Sequence, residues 1–231
     1  MTATCWAVVP AAGVGERMGG TTPKQYLVLA GRPVIHWALA PLIRCDRIRA
    51  IAVATSPGDA RFSAAGITSD KVRRVDGGPR RQDSVLEGLK AFEAEAAPDD
   101  WALVHDAARP CLTDTDLESL LGRLDAKPGV VGGLLACPVR DTLKRADSRG
   151  RSLGTVSRED LWQALTPQVF RYGALRQALE AAEVEGADVT DEAAAMERAG
   201  HHPVLVAGDP GNIKIPRPGD LALCAALLER S

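Results

Sequence analysis

CWAVVPAAGVGERMGGTTPKQY, residues 5–26, sets a strand-length apolar run directly before a loop with glycines at Gly13, Gly15, Gly19 and Gly20. Glycine lets a backbone approach an anion closely and offer its N–H groups. Arg17 and Lys24 in the same stretch suggest an anion with several charges. A P-loop would need GxxxxGK[ST], and although Gly15 and Gly20 have the spacing, Thr21 and Thr22 follow where Lys-Ser/Thr is required. The dinucleotide fingerprint GxGxxG is begun by Gly13 and Gly15, but Met18 replaces its third glycine. That fold also wants an acid about 20 residues on to hold a ribose hydroxyl, and none occurs between Arg17 and Cys45. What the stretch does carry is Arg17, Lys24, Arg32 and Arg44, a purely cationic set. It suits a nucleoside triphosphate whose α-phosphate gains charge as pyrophosphate leaves. The competing reading is a surface loop whose Arg and Lys are simply solvated.

Working outward, apolar runs alternate with helical patterns. IRAIAVAT (48–55), KVRRV (71–75), WALVHD (101–106) and VVGGLLACPV (130–139) read as strands, with another near HPVLVA. Helices are expected from Pro33 (VIHWALAPLI), over 84–96, from TDTDLESLLGRL, over 172–182, over 190–199 and from Asp220. In SVLEGLKAFEAEA, Val85, Leu86, Leu89 and Phe92 recur at i, i+3, i+4, i+7 spacing. Ser84 is the expected N-cap there, with Glu87 completing a capping box. Thr190 caps, and Gly200 closes, the helix over 190–199. Alternating β and α units predict an α/β fold, with helices on both faces of a mostly parallel, Rossmann-like sheet and ligands beyond the strands' carboxyl ends. Residues 140–160, charged and aperiodic, are either a flexible loop or a β-arm that leaves the body. No repeat or linker divides residues 1–231, which read as one domain.

Composition narrows the function. With 45% hydrophobic and 25% charged residues and a net charge of −2, there is no basic surplus for nucleic-acid binding. No apolar run approaches the roughly 18–20 residues that span a bilayer. Five cysteines with no CxxC spacing read as core residues of a cytosolic protein, and the four histidines have no metal-binding spacing.

PAAGxGxRM…PKQY resembles the sugar-phosphate nucleotidyltransferases. SPGD (56–59), DGG…DSVLEGL (76–89), VHDAARP (104–110), PVRDTLKR (138–145), LTPQ (165–168), VTDEA (189–193) and NIKI (212–215) narrow the resemblance. In that order they are similar to the 2-C-methyl-D-erythritol 4-phosphate cytidylyltransferase family, from about residue 5 to 228. The resemblance implies transfer of a cytidylyl group from CTP to a sugar-alcohol phosphate, in a homodimer, with Mg²⁺ held mainly by the CTP phosphates. An acceptor phosphate is already an anion, so no general base is needed; catalysis consists of bringing polyanions together and neutralising them. On the family pattern, Arg17, Lys24 and Lys214 are the catalytic cations. Ala11, Ala12, Gly13, Gly78 and Ser84 surround the nucleotide. Asp106 faces the acceptor or the metal. Arg109, Thr142, Arg158, Thr166 and Thr190 bind the acceptor. The resemblance also implies that residues 140–160 are an arm hooking over a second subunit, so that Thr142 and Arg158 complete the partner's site. Pro79 after Gly78 and Pro216 after NIKI depart from the pattern. A ribitol 5-phosphate cytidylyltransferase and a nucleotide-sensing protein that has lost catalysis are the alternatives.

Overall fold

The computed structural model describes residues 3–13, 22–215 and 219–229. β1 (Cys5–Pro10) is followed by a small hairpin, β2 (Val28–Leu29) and β3 (Arg32–Pro33), then α1 (Val34–Arg44), β4 (Ile48–Thr55), α2 (Ala60–Ala64) and β5 (Val72–Asp76). The second half runs α3 (Arg81–Lys90), β6 (Trp101–Val104), α4 (Asp114–Asp125) and β7 (Gly132–Pro138). It continues through β8 (Leu143–Ala146), β9 (Ser152–Val156), β10 (Trp162–Arg171), α5 (Tyr172–Val184), α6 (Glu192–Arg198), β11 (Val204–Ala207) and α7 (Asp220–Leu228).

Among the described residues the central sheet has seven strands in the order β11-β7-β10-β6-β1-β4-β5. All neighbours are parallel except β10, which runs antiparallel to both β6 and β7. The central strands are apolar throughout because both faces are covered. Successive side chains go to opposite layers: Cys5, Ala7 and Val9 of β1 join Ile35, Leu39 and Leu117 from α1 and α4. Trp6 and Val8 join Val85, Leu89 and Leu175 from α3 and α5. α3 lies close on β1, since a Cβ on Gly88 would come within 2.3 Å of Val8 Cγ1. The expected three-layer α/β fold is present. All five cysteines are buried and free.

The sheet order places the ligand edge. From β1 the chain moves to β4 and β5 on one side, then returns to β6 on the other. The carboxyl ends of β1 and β6 therefore flank the point where strand order reverses, which leaves a crevice between their following loops.

Three sequence expectations change. α3 begins at Arg81, three residues before Ser84; Arg80 is its N-cap, and Asp83 accepts from the Arg80 backbone N–H. α6 is capped by Asp191, which accepts from Ala194 N–H, and not by Thr190. Residues 162–171, given no element from sequence, form β10, with Pro167 inside it as the usual argument against a strand. Its register against β7 shifts between Ala164 and Gln168, which accommodates that proline. Residues 140–160 are not an irregular loop. β8 and β9 pair as an antiparallel hairpin separate from the central sheet, with nearly every side chain exposed.

Candidate active site

The loops after β1 and β6 meet the start of α3 in a half-open cleft. It is lined by Ala11, Ala12 and Gly13, by Gly78 and Ser84, by Lys24, and by Asp106 and Lys214. These positions are up to two hundred residues apart in sequence, yet most of the expected site converges here. Arg17 and Pro216 lie outside the described residues.

The segment after β1 is pinned from behind. Gln25 Nε2 donates to the carbonyls of Ala11 at 2.7 Å and Gly13 at 3.1 Å, and Ser56 Oγ donates to that of Ala12 at 2.8 Å. Tyr26, next to Gln25, donates its hydroxyl to Asp59 at 2.7 Å. SPGD thus holds the loop through Ser56 and its neighbouring turn through Asp59. Across the cleft, the Ser84 hydroxyl lies 3.2 Å from the carbonyls of both Gly78 and Arg80. A Cβ on Gly78 would sit 2.4 Å from Asp83 Cβ, so only glycine lets this loop lie so close to α3.

Asp106 is the carboxylate among the described residues lining the cleft. It is 6% exposed. Lys214 Nζ approaches Oδ2 at 2.8 Å, Arg81 Nε approaches Oδ1 at 3.1 Å, and Arg109 Nε lies 3.5 Å from Oδ2. Burial alone would raise its pKa, but Arg81, Lys214 and Arg109 outweigh burial and hold the carboxyl well below the usual range. Lys214 reaches this position because Ile215 is fully buried beside α7 and its N–H donates to Ala108 O at 2.9 Å.

Arg109 and Thr166 sit beneath Asp106 and do not line the cleft: Arg109 is 8% exposed and Thr166 4%. Arg109 Nη1 donates to Asn212 O at 2.7 Å, and Asn212 Nδ2 donates to Thr166 O at 2.8 Å. Thr166 Oγ1 accepts from Asp106 N–H at 3.1 Å. Its proton is therefore free to go to His105 Nδ1, 2.9 Å away, while His105 Nε2–H faces Arg109 O at 3.1 Å. That chain of bonds uses a neutral imidazole, and burial pushes His105 down to about 4. The unfolded chain protonates near 6.5, so the stability gained from the neutral form is complete above that pH. It is lost as pH falls from 6.5 to 4, by about 3 kcal/mol at roughly 1.4 kcal/mol per pH unit. We expect urea unfolding to show this decline and the His105 ¹⁵N shifts to stay neutral at pH 5. Titration of His105 near 6.5 would contradict the network.

Thr142, Arg158 and Thr190 are exposed and lie outside the cleft lining of their own chain. Arg158 Nη1 donates to Arg140 O at the base of the arm. Leu153, Leu161 and Trp162, on or beside the arm, are 64%, 39% and 39% exposed.

Sequence reasoning missed Arg81, Gln25, Asn212, His105 and Glu192. Arg81 had a signal: Arg80 and Arg81 sit at a helix N-terminus, where the dipole disfavours cations unless carboxylates compensate. Gln25 was visible inside PKQY but unassigned, because an amide's partners are set by the fold.

Residues 5–230 match the profile of a protein family described as 2-C-methyl-D-erythritol 4-phosphate cytidylyltransferase. A protein of that name from Pseudomonas savastanoi pv. phaseolicola (strain 1448A / Race 6) is 50% identical over 218 residues, covering 94% of this chain and 92% of the relative. Another, from Cronobacter sakazakii (strain ATCC BAA-894), is 49% identical over 226 residues, covering 97% and 93%. The crystal structure of a 4-diphosphocytidyl-2C-methyl-D-erythritol synthase superposes with a TM-score of 0.85 at 35% identity, over 99% of this chain and 100% of that one. That of the Francisella tularensis 2-C-methyl-D-erythritol 4-phosphate cytidylyltransferase gives 0.84 at 31% identity, over 97% and 99%.

Proposed function

The chain belongs to the 2-C-methyl-D-erythritol 4-phosphate cytidylyltransferase family, and from that membership we propose how its cleft performs the reaction. The enzyme transfers a cytidylyl group from CTP to 2-C-methyl-D-erythritol 4-phosphate in isoprenoid biosynthesis, releasing pyrophosphate. The observation that carries the site reading is the convergence of Lys24, Lys214 and Asp106 with the Ala11–Gly13 and Gly78–Ser84 segments on one cleft.

In this reading the base lies against Gly78 and Ser84. Cytosine presents a donating 4-amino group where uracil presents an acceptor, and the Gly78 carbonyl is the matching group. Pro79 removes an N–H from this loop but leaves that carbonyl in place. The triphosphate runs along Ala11–Gly13 toward Lys24. An acceptor phosphate oxygen attacks the α-phosphorus, the bond to pyrophosphate breaks, and Arg17, Lys24 and Lys214 neutralise the charge on the pentacoordinate centre. Asp106 stays ionised and holds Lys214 at the cleft floor, with Arg109 and Thr166 supporting Asp106 from beneath rather than touching the cleft. Thr190 and, from the partner's arm, Thr142 and Arg158 complete the acceptor pocket. The single domain is active as a cytosolic homodimer.

Mg²⁺ fits this donor set as an ion carried by the nucleotide, with Asp106 as the carboxylate among the described residues that line the cleft. When bound, it withdraws charge from the phosphate oxygens.

The test is pyrophosphate release with CTP or UTP and with either 2-C-methyl-D-erythritol 4-phosphate or ribitol 5-phosphate. We expect kcat/KM for CTP to exceed that for UTP by at least about 10²-fold, because UTP would turn an acceptor toward the Gly78 carbonyl. The branched acceptor should be preferred. Equal rates for the two nucleotides would refute base reading by the Gly78 loop. Preference for ribitol 5-phosphate would replace the acceptor assignment.

A further inference from the structure

Glu192 is the first residue of α6 and is 1% exposed. Burial raises its carboxyl, and Arg81 works against that with two hydrogen bonds, Nη1 to Oε1 at 2.6 Å and Nη2 to Oε2 at 3.1 Å. A buried ion pair is seldom the most stable filling for its space, since apolar side chains of similar volume do as well. What a bidentate pair does supply is orientation, because it fixes the guanidinium plane. With both terminal nitrogens on Glu192, the Nε–H of Arg81 points to Asp106 Oδ1 at 3.1 Å. Asp106 then keeps Oδ2 for Lys214, and the charges alternate from Glu192 through Arg81 and Asp106 to Lys214.

The same pair joins two segments that meet at the site. Arg81 opens α3, whose entry carries Gly78 and Ser84. Glu192 follows the turn bearing Thr190. Gln82 clamps that turn by donating to Ala187 O at 3.0 Å and accepting from Val189 N–H at 2.9 Å. On its other flank, Gln168 donates to Asp191 Oδ2 at 3.0 Å and accepts from Ala193 N–H at 2.8 Å.

We propose that Glu192 is a positioning residue, which through Arg81 and Asp106 sets the Lys214 ammonium for the acceptor. The proposal rests on reading Asp106 and Lys214 as site residues. Without the Glu192 charge nothing fixes the Arg81 fork, so Asp106 loses the Arg81 hydrogen bond that orients it and the Lys214 ammonium shifts with it.

The test is steady-state kinetics with CTP, 2-C-methyl-D-erythritol 4-phosphate and Mg²⁺, alongside calorimetric CTP binding and Tm. The variants are Glu192→Gln, the double variant Arg81→Gln/Glu192→Gln, and Lys214→Ala. Glu192→Gln is expected to lower kcat/KM for the acceptor by about 10- to 100-fold, the scale of a small misplacement. Its Kd for CTP should change by less than about threefold. The double variant removes the buried Glu192 charge together with its half-buried partner, so its Tm should return toward wild type while acceptor kcat/KM stays low. If Glu192→Gln does not fold, the double variant decides alone. Normal acceptor kinetics in Glu192→Gln, or recovery of kinetics together with Tm in the double variant, would overturn the proposal. Normal kinetics in Lys214→Ala would instead overturn the underlying site reading, and this proposal with it.

Discussion

Replacing Lys214 or Lys24 by alanine is expected to lower kcat by at least about 10²-fold, the scale for removing one electrostatic partner of a transition state. The reaction offers the protein little covalent chemistry, so lost neutralisation is lost rate. Both lysines line the cleft. The Lys214 side chain is 43% exposed although its carboxylate partner is buried, so the ammonium is held at the floor and still faces the opening. Removing it leaves Asp106 with Arg81 and Arg109, and the fold should survive. Arg17→Ala should behave like Lys24→Ala. Circular dichroism and Tm would confirm folding, and pyrophosphate release would give kcat. Near-wild-type turnover in folded Lys24→Ala and Lys214→Ala would remove both from the mechanism.

Much of this was legible in the chain itself, for physical reasons that differ by element. β1, β4 and β6 are buried on both faces, so they appear as continuous apolar runs. α4 announces its start with Thr113, which does accept from Asp116 N–H. β10 was not legible: its first three residues are exposed, a proline interrupts it, and its place between β6 and β7 depends on long-range pairing. Ser84 and Thr190 show the limit of local rules. Each is the residue type expected at a helix start, but Arg80 with Asp83 and Asp191 take those positions. For the site, the glycine loop, Lys24 and Asp106 stood out by charge and context. Lys214 alone would have passed as an ordinary surface lysine; the family pattern singled it out, and it lines the cleft. Arg81 and Glu192 are 111 residues apart, so nothing local marks them as partners.

In the proposed dimer the arm completes the neighbouring site. Thr142 and Arg158 are exposed, on or beside a hairpin with no core of its own, and Leu153 and Trp162 leave apolar surface uncovered there. Residues so poorly supported position a substrate badly, whereas arms docked across a two-fold axis would brace each other and each supply the neighbour's pocket. Arg158→Ala should then cost activity on the same scale as Lys24→Ala, about 10²-fold. The direct measurement mixes inactive Lys24→Ala and Arg158→Ala subunits and follows pyrophosphate release after subunit exchange. In a shared-site heterodimer one site collects both lesions and the other is intact, so random exchange should restore about a quarter of wild-type activity. If each site is built from one chain, every site keeps a lesion. A mixture that stays inactive after verified exchange would contradict the two-chain site.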